Sequence, residues 1–377
     1  MINRERLIGS FVKMVEIASV SGQEGAFRDF LQAEFALRGL SAEEDRAGEI
    51  LQGNSGNLLV RIPGTVKAPV LLLATHMDTV VPGIGIKAIR GQDEVIRSEG
   101  DTILGADDKA GIAAILEAWD IIVENRLDHP PLELLFTVSE EQGLLGIKNF
   151  DFSILQARHA FVLDSGGAPG SIVIKSPCQN EIEYRVYGRA AHAGINPEDG
   201  VNAIQVMGRA LAAMPCGRID HETTCNFGII EGGAARNVVA PTCRVKGEAR
   251  SLSRNKLDQL TSDLTNIFRT EVQNNGAEAE VDTCLLYPET TLPMDAEVVR
   301  LAINAADRVG LKSELLGTGG GSDASIINGH GIPCANLGIG MSAVHTTDEF
   351  IIIEDLVNDA RLVLSIIEEA ARVIVSQ

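Results

Sequence analysis

Hydrophobic residues along the first half of the chain follow two alternating patterns. In residues 4–18 and 108–124, apolar side chains recur three or four positions apart, which predicts amphipathic helices. Residues 69–75 contain no polar side chain before Thr75, as is typical of a strand buried on both faces. Comparable strands are expected at 57–62, 132–138 and 159–163. This alternation of strands and helices predicts an α/β fold built on a doubly wound, mainly parallel sheet.

Three residues mark the ends of another helix in this half. Ser21 and Glu24 have the spacing of a capping box, in which each side chain bonds a backbone N–H of the first helical turn. Gly39 is the residue type that most often follows the end of a helix. We therefore expect a second helix between these positions.

The pattern changes near residue 178. Residues 181–186 alternate between polar and apolar, as a half-exposed antiparallel strand does. The elements that follow are a helix at 199–214, strands at 223–231 and 236–250, a helix at 254–274 and a strand at 277–286. This β-α-β-β-α-β order is that of the ferredoxin-like unit, and it predicts an inserted lid domain at residues 178–290.

After residue 290 the α/β pattern resumes. Expected here are a helix at 295–308, a glycine-rich turn at 317–321, a helix from 322, a strand at 333–338 and a helix at 354–374. Residues 1–177 and 291–377 are therefore assigned to one metal-binding catalytic domain, for the reasons given below. A chain of 377 residues has the length expected of two domains.

Charge and composition exclude several classes of function. With 52 acidic and 32 basic residues, the formal net charge is −20, so neither nucleic acid nor an anionic membrane surface is an expected partner. No run of 18 uncharged apolar residues predicts a transmembrane helix. The N-terminus lacks a secretory pattern and the six cysteines form no C-x-x-C pair, so we expect reduced thiols and a cytoplasmic location.

Polar residues with metal-binding chemistry follow the predicted strands. His76 and Asp78 end one buried strand, and their spacing of two places both side chains on the same side. Glu140 and Glu141 follow another strand. Because adjacent residues point in different directions, one glutamate can bind a metal while the other faces a substrate. Taken alone, the glutamate pair is better explained as a charged surface turn.

Three further positions complete this set. Asp107 lies in GADDKAG, directly before a predicted helix, where it or Asp108 could instead cap the helix. Asp164 ends a third strand, and His345 stands in the late segment GMSAVHTTDEF. The strand ends form the edge of an α/β sheet at which ligands bind. Five nitrogen and oxygen ligands with one shared carboxylate suit two divalent metal ions, with zinc expected and cobalt or manganese as substitutes.

The motifs HMD, GADDKAG, SEEQGLLG and LDSGG, with the late histidine, resemble a known enzyme family. That family is the two-zinc exopeptidases, which include peptidase T, carboxypeptidase G, aminoacylase and succinyl-diaminopimelate desuccinylase. The resemblance covers nearly the whole chain and is closest to the peptidase T branch. It implies that Asp107 bridges both metals, that His76 and Asp164 complete one site, and that Glu141 and His345 complete the other. It also implies a cis peptide bond after the bridging aspartate.

The same resemblance assigns catalytic roles to three residues. Asp78 would orient His76, and Glu140 would be the general base that takes a proton from the attacking water. His192, in the segment GRAAHAG of the inserted domain, would stabilise the oxyanion, whereas without the resemblance it would be read as a solvated loop histidine.

Substrate contacts are implied for four residues. Asn237 would bind the peptide carbonyl, and Arg250 a terminal carboxylate, whose geometry matches a guanidinium. The turn that contains Gly320 and Ser322 precedes a helix and would hold a substrate carboxylate through backbone N–H groups. Alternatively, Arg250 is a surface charge and Asp323 simply caps the helix.

The function implied is that of a metal-dependent exopeptidase that hydrolyses short peptides, with an aminotripeptidase as the first expectation. An amidohydrolase of N-acyl amino acids, similar to aminoacylase or desuccinylase, is the main alternative. A related single-chain two-zinc aminopeptidase and a non-catalytic binding protein of the same fold are further ones. The resemblance also implies a homodimer that forms through the lid domain.

Overall fold

Two structural units make up the computed structural model, which describes residues 1–373. The first unit comprises Met1–Ile174, Thr291–Gly317 and the chain from Ser322 onward, and the second comprises Lys175–Thr290 with Thr318–Gly321. The glycine-rich segment Thr318–Gly321, which the sequence assigned to the first domain, thus belongs to the second unit.

The helices and strands are numbered along the chain. The helices are α1 Arg4–Val15, α2 Gly25–Leu37, α3 Ala47–Leu51, α4 Ala106–Asn125, α5 Leu145–Lys148, α6 Ala203–Ala213, α7 Arg254–Asn274, α8 Glu297–Arg308, α9 Asp323–Gly329 and α10 Ile353–Ala370. The strands are β1 Ala42–Glu44, β2 Leu58–Ile62, β3 Leu71–His76, β4 Ala88–Arg90, β5 Val95–Ser98, β6 Leu132–Thr137, β7 His159–Ser165, β8 Ser171–Ser176, β9 Cys178–Tyr187, β10 Gly217–Arg218, β11 Thr223–Gly232, β12 Thr242–Ser251, β13 Glu278–Tyr287, β14 Thr290–Thr291, β15 Glu314–Gly317, β16 Cys334–Gly338, β17 Met341–Ser342 and β18 Phe350–Ile352.

The central sheet of the first unit has the strand order β1-β2-β6-β3-β7-β16-β8-β14, with β15 paired to β8. Its four middle strands, β6, β3, β7 and β16, run parallel. All residues of β3 and β6 are buried, which explains why their sequences are largely apolar on both faces rather than alternating, with the buried Glu133 as an exception in β6. The predicted mixed α/β fold with a mainly parallel sheet is confirmed. A small sheet, β17-β18-β5-β4, was not predicted, because its strands have only two to four residues.

The second unit has the predicted β-α-β-β-α-β order, with one additional two-residue strand, β10. Its antiparallel sheet runs β10-β11-β12-β9-β13. The core contains Tyr184 from β9, whose ring lies 4.8 Å from that of Phe268 on α7. Strand β12 begins at Thr242 and not at 236, because Gly233 takes a positive φ of 76° and Pro241 lacks the N–H that a ladder requires.

The predicted capping box of α2 is wrong. The helix begins at Gly25, and no side chain caps its N-terminus. Ser21 Oγ instead donates to Asp78 Oδ2 at 2.6 Å. The carboxylate of Glu24 accepts from the backbone N–H groups of Gly22 at 2.9 Å and Ser139 at 3.0 Å. Both side chains therefore stabilise the turns at the carboxyl edge of the sheet.

Two expectations drawn from composition can be compared with the structure. None of the helices between residues 1 and 373 combines the length and apolar character required to cross a bilayer. All six cysteines are free thiols, in agreement with the prediction.

One buried side chain of the first unit is under electrostatic strain. Asp359 on α10 is 1% exposed, and neither of its carboxylate oxygens has a hydrogen-bond partner among the described residues. Burial, with a smaller contribution from Asp355, raises the pKa of Asp359 well above its ordinary value. A raised pKa in the folded state means that the folded chain holds this proton more tightly than the unfolded chain does. The free energy of unfolding therefore falls as pH rises from the unfolded pKa through the folded one.

We predict that Asp359→Asn raises the melting temperature at pH 8 by about 2–4 °C, because an amide of the same shape cannot ionise. The gain should shrink toward pH 4, because the unfolded chain also begins to bind this proton near the ordinary aspartate pKa of about 3.9. Thermal unfolding with chelator present, from pH 4 to 8, measures the difference from the parent. Asp101→Asn, in an exposed loop, is the control and should show no such pH-dependent gain. An equal melting temperature for Asp359→Asn and the parent at pH 8 would contradict the assignment.

Candidate metal centre

The ends of three parallel strands bring the predicted ligands together. His76 is the last residue of β3, and Asp164 is the second-to-last residue of the neighbouring strand β7. Glu141 follows β6 by four residues, and Asp107 lies in the first turn of α4. Because β3 pairs in parallel with both β6 and β7, their carboxyl ends meet at one edge of the sheet. His345, in the loop after β17, reaches the same edge.

Asp107 occupies the middle of this cluster. Its Oδ1 lies 2.9 Å from His76 Nε2, and its Oδ2 lies 3.3 Å from His345 Nε2. Glu141 Oε1 is 2.9 Å from the same His345 nitrogen, and Asp164 Oδ1 is 3.7 Å from His76 Nε2. The two oxygens of one carboxylate thus face two different imidazoles, each with a second carboxylate beside it.

This donor set fits a pair of divalent metal ions. In a tetrahedral zinc site with bonds of about 2.0–2.1 Å, neighbouring donor atoms stand roughly 3.3 Å apart. The four separations above, between 2.9 and 3.7 Å, bracket that value. Donor atoms of His76, Asp107 and Glu141 also lie within 4.8 Å of one another. Asp107 has the arrangement expected of a bridging ligand, and the Asp107–Asp108 peptide bond is cis.

Burial and hydrogen bonds within the cluster shift the pKa values of its members in different directions. Burial alone would raise the pKa of Asp107, but hydrogen bonds with the His345 and His76 rings outweigh it and hold the pKa below its ordinary range. Burial raises the pKa of Asp164 to about 7. Hydrogen bonds to Asp107 and Glu141 raise the pKa of His345 to about 10. The cluster therefore concentrates more negative charge than two imidazoles neutralise, a condition that divalent cations satisfy.

Asp78 organises the turn that carries both glutamates. His76 Nδ1 lies 3.0 Å from the backbone carbonyl oxygen of Asp78 and 3.4 Å from its Oδ1, which orients the ring so that Nε2 faces Asp107. The Asp78 carboxylate also accepts from the backbone N–H groups of Glu140 at 2.9 Å and Glu141 at 3.2 Å. One buried carboxylate thus positions a histidine and the two residues after β6.

Glu140 is adjacent to the ligands, and within residues 1–373 its own carboxylate has no hydrogen-bond partner that would fix it to them. Burial raises the pKa of Glu140 well above its ordinary value, and the nearby Asp164 charge adds to the shift. Its carboxyl group therefore has the environment of a proton acceptor rather than that of an ion-paired surface residue.

Sequence reasoning missed Lys109, which follows the bridging aspartate by two residues. The side chain is fully buried. Its Nζ donates to the Met77 carbonyl oxygen at 2.5 Å and to Ser19 Oγ at 2.7 Å, and lies 4.1 Å from the centre of the Phe27 ring. Lys109 thus fixes the backbone between the two strand-end residues His76 and Asp78. A lysine at the start of an otherwise apolar helix was the available signal.

His192 and Asn237 lie in neighbouring segments of the second unit. An isolated bridge joins His192 to Val238, and the backbone N–H of Ala193 donates to the Asn237 carbonyl oxygen at 3.0 Å. His192 Nδ1 accepts from the Gly194 N–H at 3.2 Å, so a neutral ring carries its proton on Nε2. Both side chains are exposed.

The other predicted substrate contacts are divided between the units. Arg250 binds the Glu248 carboxylate through Nε at 2.9 Å and Nη2 at 3.0 Å, and its Nη1 lies 3.3 Å from the Gly319 carbonyl oxygen, beside Gly320. Ser322 is the N-cap of α9 and also accepts from Asn336 Nδ2 at 3.0 Å. The alternative in which Asp323 caps this helix is wrong, because its carboxylate accepts from Thr137 Oγ1 at 2.5 Å.

Parts of this chain are similar to three families of peptidase domains. Sequence profiles match at residues 178–275 (peptidase dimerisation domain), 57–197 (peptidase family M28) and 264–362 (M42 glutamyl aminopeptidase). A Bacillus subtilis protein named uncharacterized protein YqjE is 39% identical, over 99% of this chain and all of that protein.

Two solved structures are similar over almost the full length. The aminopeptidase PepT of Bacillus cereus is 40% identical with a TM-score of 0.90, covering 98% of this chain and all of its own. A tripeptidase of Staphylococcus aureus is 38% identical with a TM-score of 0.94, covering 99% of this chain and all of its own.

We predict that His76→Ala loses one bound metal ion per chain, because it removes the nitrogen that faces Asp107 Oδ1. Metal content after chelation and reloading with zinc measures this. His129→Ala is the matched control, since His129 is also buried and packs edge-on against Trp119 at 5.2 Å, away from the cluster. The control should keep full metal content even if it is less stable. Full metal content in His76→Ala would overturn the ligand assignment.

Proposed function

This chain belongs to the peptidase T-like family of metal-dependent exopeptidases, and we propose that it acts as an aminotripeptidase, removing the N-terminal residue from tripeptides. It is a peptide-bond hydrolase. The similarity to an aminopeptidase and to a tripeptidase at 38–40% identity over nearly the whole chain supports this substrate class over N-acyl amino acids.

The position of Asp107 is the observation that carries the proposed chemistry. Its two carboxylate oxygens face His76 at 2.9 Å and His345 at 3.3 Å, and each histidine has a further carboxylate beside it. We assign His76 and Asp164 to one divalent ion, Glu141 and His345 to the other, and Asp107 to both. The ions are proposed to be zinc, with cobalt or manganese as substitutes, since nitrogen and carboxylate donors in tetrahedral sites suit these metals.

Two bound divalent ions would polarise the scissile carbonyl and lower the pKa of the attacking water. Glu140 then takes the proton from that water and returns it to the leaving amine. Asp78 holds the His76 ring and the backbone of Glu140, so the position of the proton acceptor relative to the ligands is fixed. His76, Asp78 and Asp107 are buried, so water screens the interactions among these three side chains only weakly.

Residues of the second unit are proposed to bind the substrate. His192 carries its proton on Nε2 and can donate it in a hydrogen bond to the oxyanion. The Asn237 side-chain amide has no hydrogen-bond partner within residues 1–373 and is proposed to donate to the peptide carbonyl. Arg250 already holds Glu248 through two nitrogens, so Nη1 is the donor proposed for a terminal carboxylate, together with the backbone of Gly320. Ser322 retains a proposed substrate contact through its backbone, because its hydroxyl caps α9.

Assembly and location are also proposals. The match of residues 178–275 to a peptidase dimerisation domain supports a homodimer formed through the second unit, which corresponds to the predicted lid domain at 178–290. Free thiols at all six cysteines fit a reducing compartment, so we propose a cytoplasmic location.

A matched pair of substrates tests the proposed function. A chelator-treated protein, reloaded with zinc, cobalt or manganese, is incubated with a tripeptide and with the same tripeptide N-acetylated. Dipeptides and N-acetyl- and N-succinyl-amino acids are added as further substrates. We predict metal-dependent release of the N-terminal residue from the free tripeptide only, because a free terminal amine distinguishes an aminopeptidase from an amidohydrolase. Hydrolysis confined to acyl-amino acids would contradict the aminotripeptidase assignment while keeping the metal centre.

We predict that Glu140→Gln lowers kcat by at least about 100-fold, because an amide cannot accept the proton of the attacking water. The metal content should stay at the parental level, since Glu140 is not assigned as a ligand. Gln142→Ala, an exposed position in the same turn, is the control and should leave kcat unchanged. Steady-state kinetics and metal analysis of both variants provide the comparison. Near-normal turnover in Glu140→Gln would show that another group is the base.

A further inference from the structure

Helix α4 begins with a kink, because the backbone angles of Asp107 (φ −78°, ψ 101°) and Asp108 (φ −120°, ψ 36°) are not helical. The residue before it, Gly105, has no side chain that could accept from the backbone N–H groups of this kinked segment. The carboxylate of Glu349 accepts from backbone N–H groups here instead. Glu349 Oε2 lies 2.8 Å from the backbone nitrogens of both Leu104 and Gly105, and Oε1 lies 3.1 Å from that of Asp107.

These hydrogen bonds hold a buried carboxylate against the kinked segment that leads into helix α4. Glu349 is 1% exposed, and burial raises the pKa of its carboxyl group, whereas the three backbone N–H groups favour its charged form. The bond to Asp107 nitrogen holds the backbone of the same residue whose side chain faces both histidines. A shift of this bond would therefore move the bridging carboxylate.

The same glutamate ends the loop that presents His345. Ala343 and His345 both have positive φ values, 51° and 63°, a conformation that these residue types adopt rarely. Bonds within the loop stabilise it: Thr346 Oγ1 donates to the Ala343 carbonyl oxygen at 2.7 Å, and the Glu349 N–H donates to the Thr346 carbonyl oxygen at 3.2 Å. His345 itself is half exposed, so it depends on this loop for its position.

We propose that Glu349 is a positioning residue for the two-metal centre, fixing the bridging ligand Asp107 and the loop of His345 to each other. This inference rests on the two-metal assignment of the proposed function. Glu349 contacts no reacting atom and acts through the two ligands. Glu349 and Asp107 are 242 residues apart in sequence, so no local element holds Asp107 and the loop of His345 together.

Replacing the carboxylate with an amide provides a specific test. In Glu349→Gln, the amide oxygen can keep the bonds to Leu104 and Gly105, but the NH2 group then faces the Asp107 N–H and repels it. Glu133→Gln is the matched control. Glu133 is 3% exposed, and its carboxylate likewise accepts three bonds of 3.1 Å from the backbone nitrogens of Gln156 and Ala157, which are not part of the cluster.

The measurements are calorimetric titration of chelated protein with Zn²⁺ and hydrogen exchange of amides 104–107 in the same chelated protein. We predict that Glu349→Gln binds zinc about 10–100-fold more weakly than the parent and exchanges these amides faster. Glu133→Gln should lose comparable stability while keeping the parental zinc affinity. Glu349→Asp, which keeps the charge on a shorter side chain, should have intermediate affinity and serves as the test if the glutamine variant does not fold.

Unchanged zinc affinity in Glu349→Gln, or in Glu349→Asp if only that variant folds, would overturn the inference. Equal losses of affinity in Glu349→Gln and Glu133→Gln would also overturn it, because they would reflect general destabilisation. If the parent itself failed to bind two zinc ions, the two-metal assignment of the proposed function would fail. The two failures are distinguishable, since the first leaves the parental stoichiometry intact.

Discussion

A buried carboxylate that offers one oxygen to each of two imidazoles is the constraint around which the first unit is arranged. Removing a charged group from water is costly unless partners compensate for the lost hydration. For Asp107 these partners are His76 and His345, and the N-terminus of α4 adds a favourable dipole. Because the two histidines come from distant parts of the chain, the site exists only when the sheet and the late loop are both in place.

At this edge of the sheet, buried carboxylates repeatedly accept hydrogen bonds from backbone N–H groups of the turns. Asp78 accepts from the backbone of Glu140 and Glu141, and Glu24 accepts from that of Gly22 and Ser139. Such turns have donors without partners of their own, and a carboxylate satisfies several at once. Part of the acid excess of this chain is therefore structural and internal, and it holds the ligand-bearing turns rigid.

The sequence predicted most of this framework because the relevant signals are local. Largely apolar runs predicted β3 and β6. The polar residues that follow these strands identified His76, Asp78 and the two glutamates as candidate site residues. Ser21 and Glu24 were misread because their spacing satisfies a local rule, whereas their actual partners lie far along the chain at Asp78 and Ser139.

Other features left no local signal at all. The sequence around Arg250 does not indicate whether this side chain binds a substrate or pairs with Glu248, as it does in the structure. Ser322 and Asp323 are adjacent and both are plausible helix caps; a contact from Thr137, 186 residues away, decides between them. Hydrogen bonds between such distant residues depend on which strand ends the fold brings together. The spacing of residue types along the sequence does not contain that information.

Two buried aspartates show that partners, rather than burial, decide the state of an acid in this fold. Asp107 and Asp359 are both almost fully buried, yet the pKa of the first lies below the ordinary range and that of the second well above it. Asp107 has two imidazoles within 3.3 Å, whereas Asp359 has no hydrogen-bond partner among the described residues. Desolvation acts on both in the same direction, so the difference is the electrostatic contribution of the cluster. A carboxylate kept charged in the interior is available to bind cations, and for Asp107 the two imidazoles at the carboxyl edge of the sheet are the groups that keep it so.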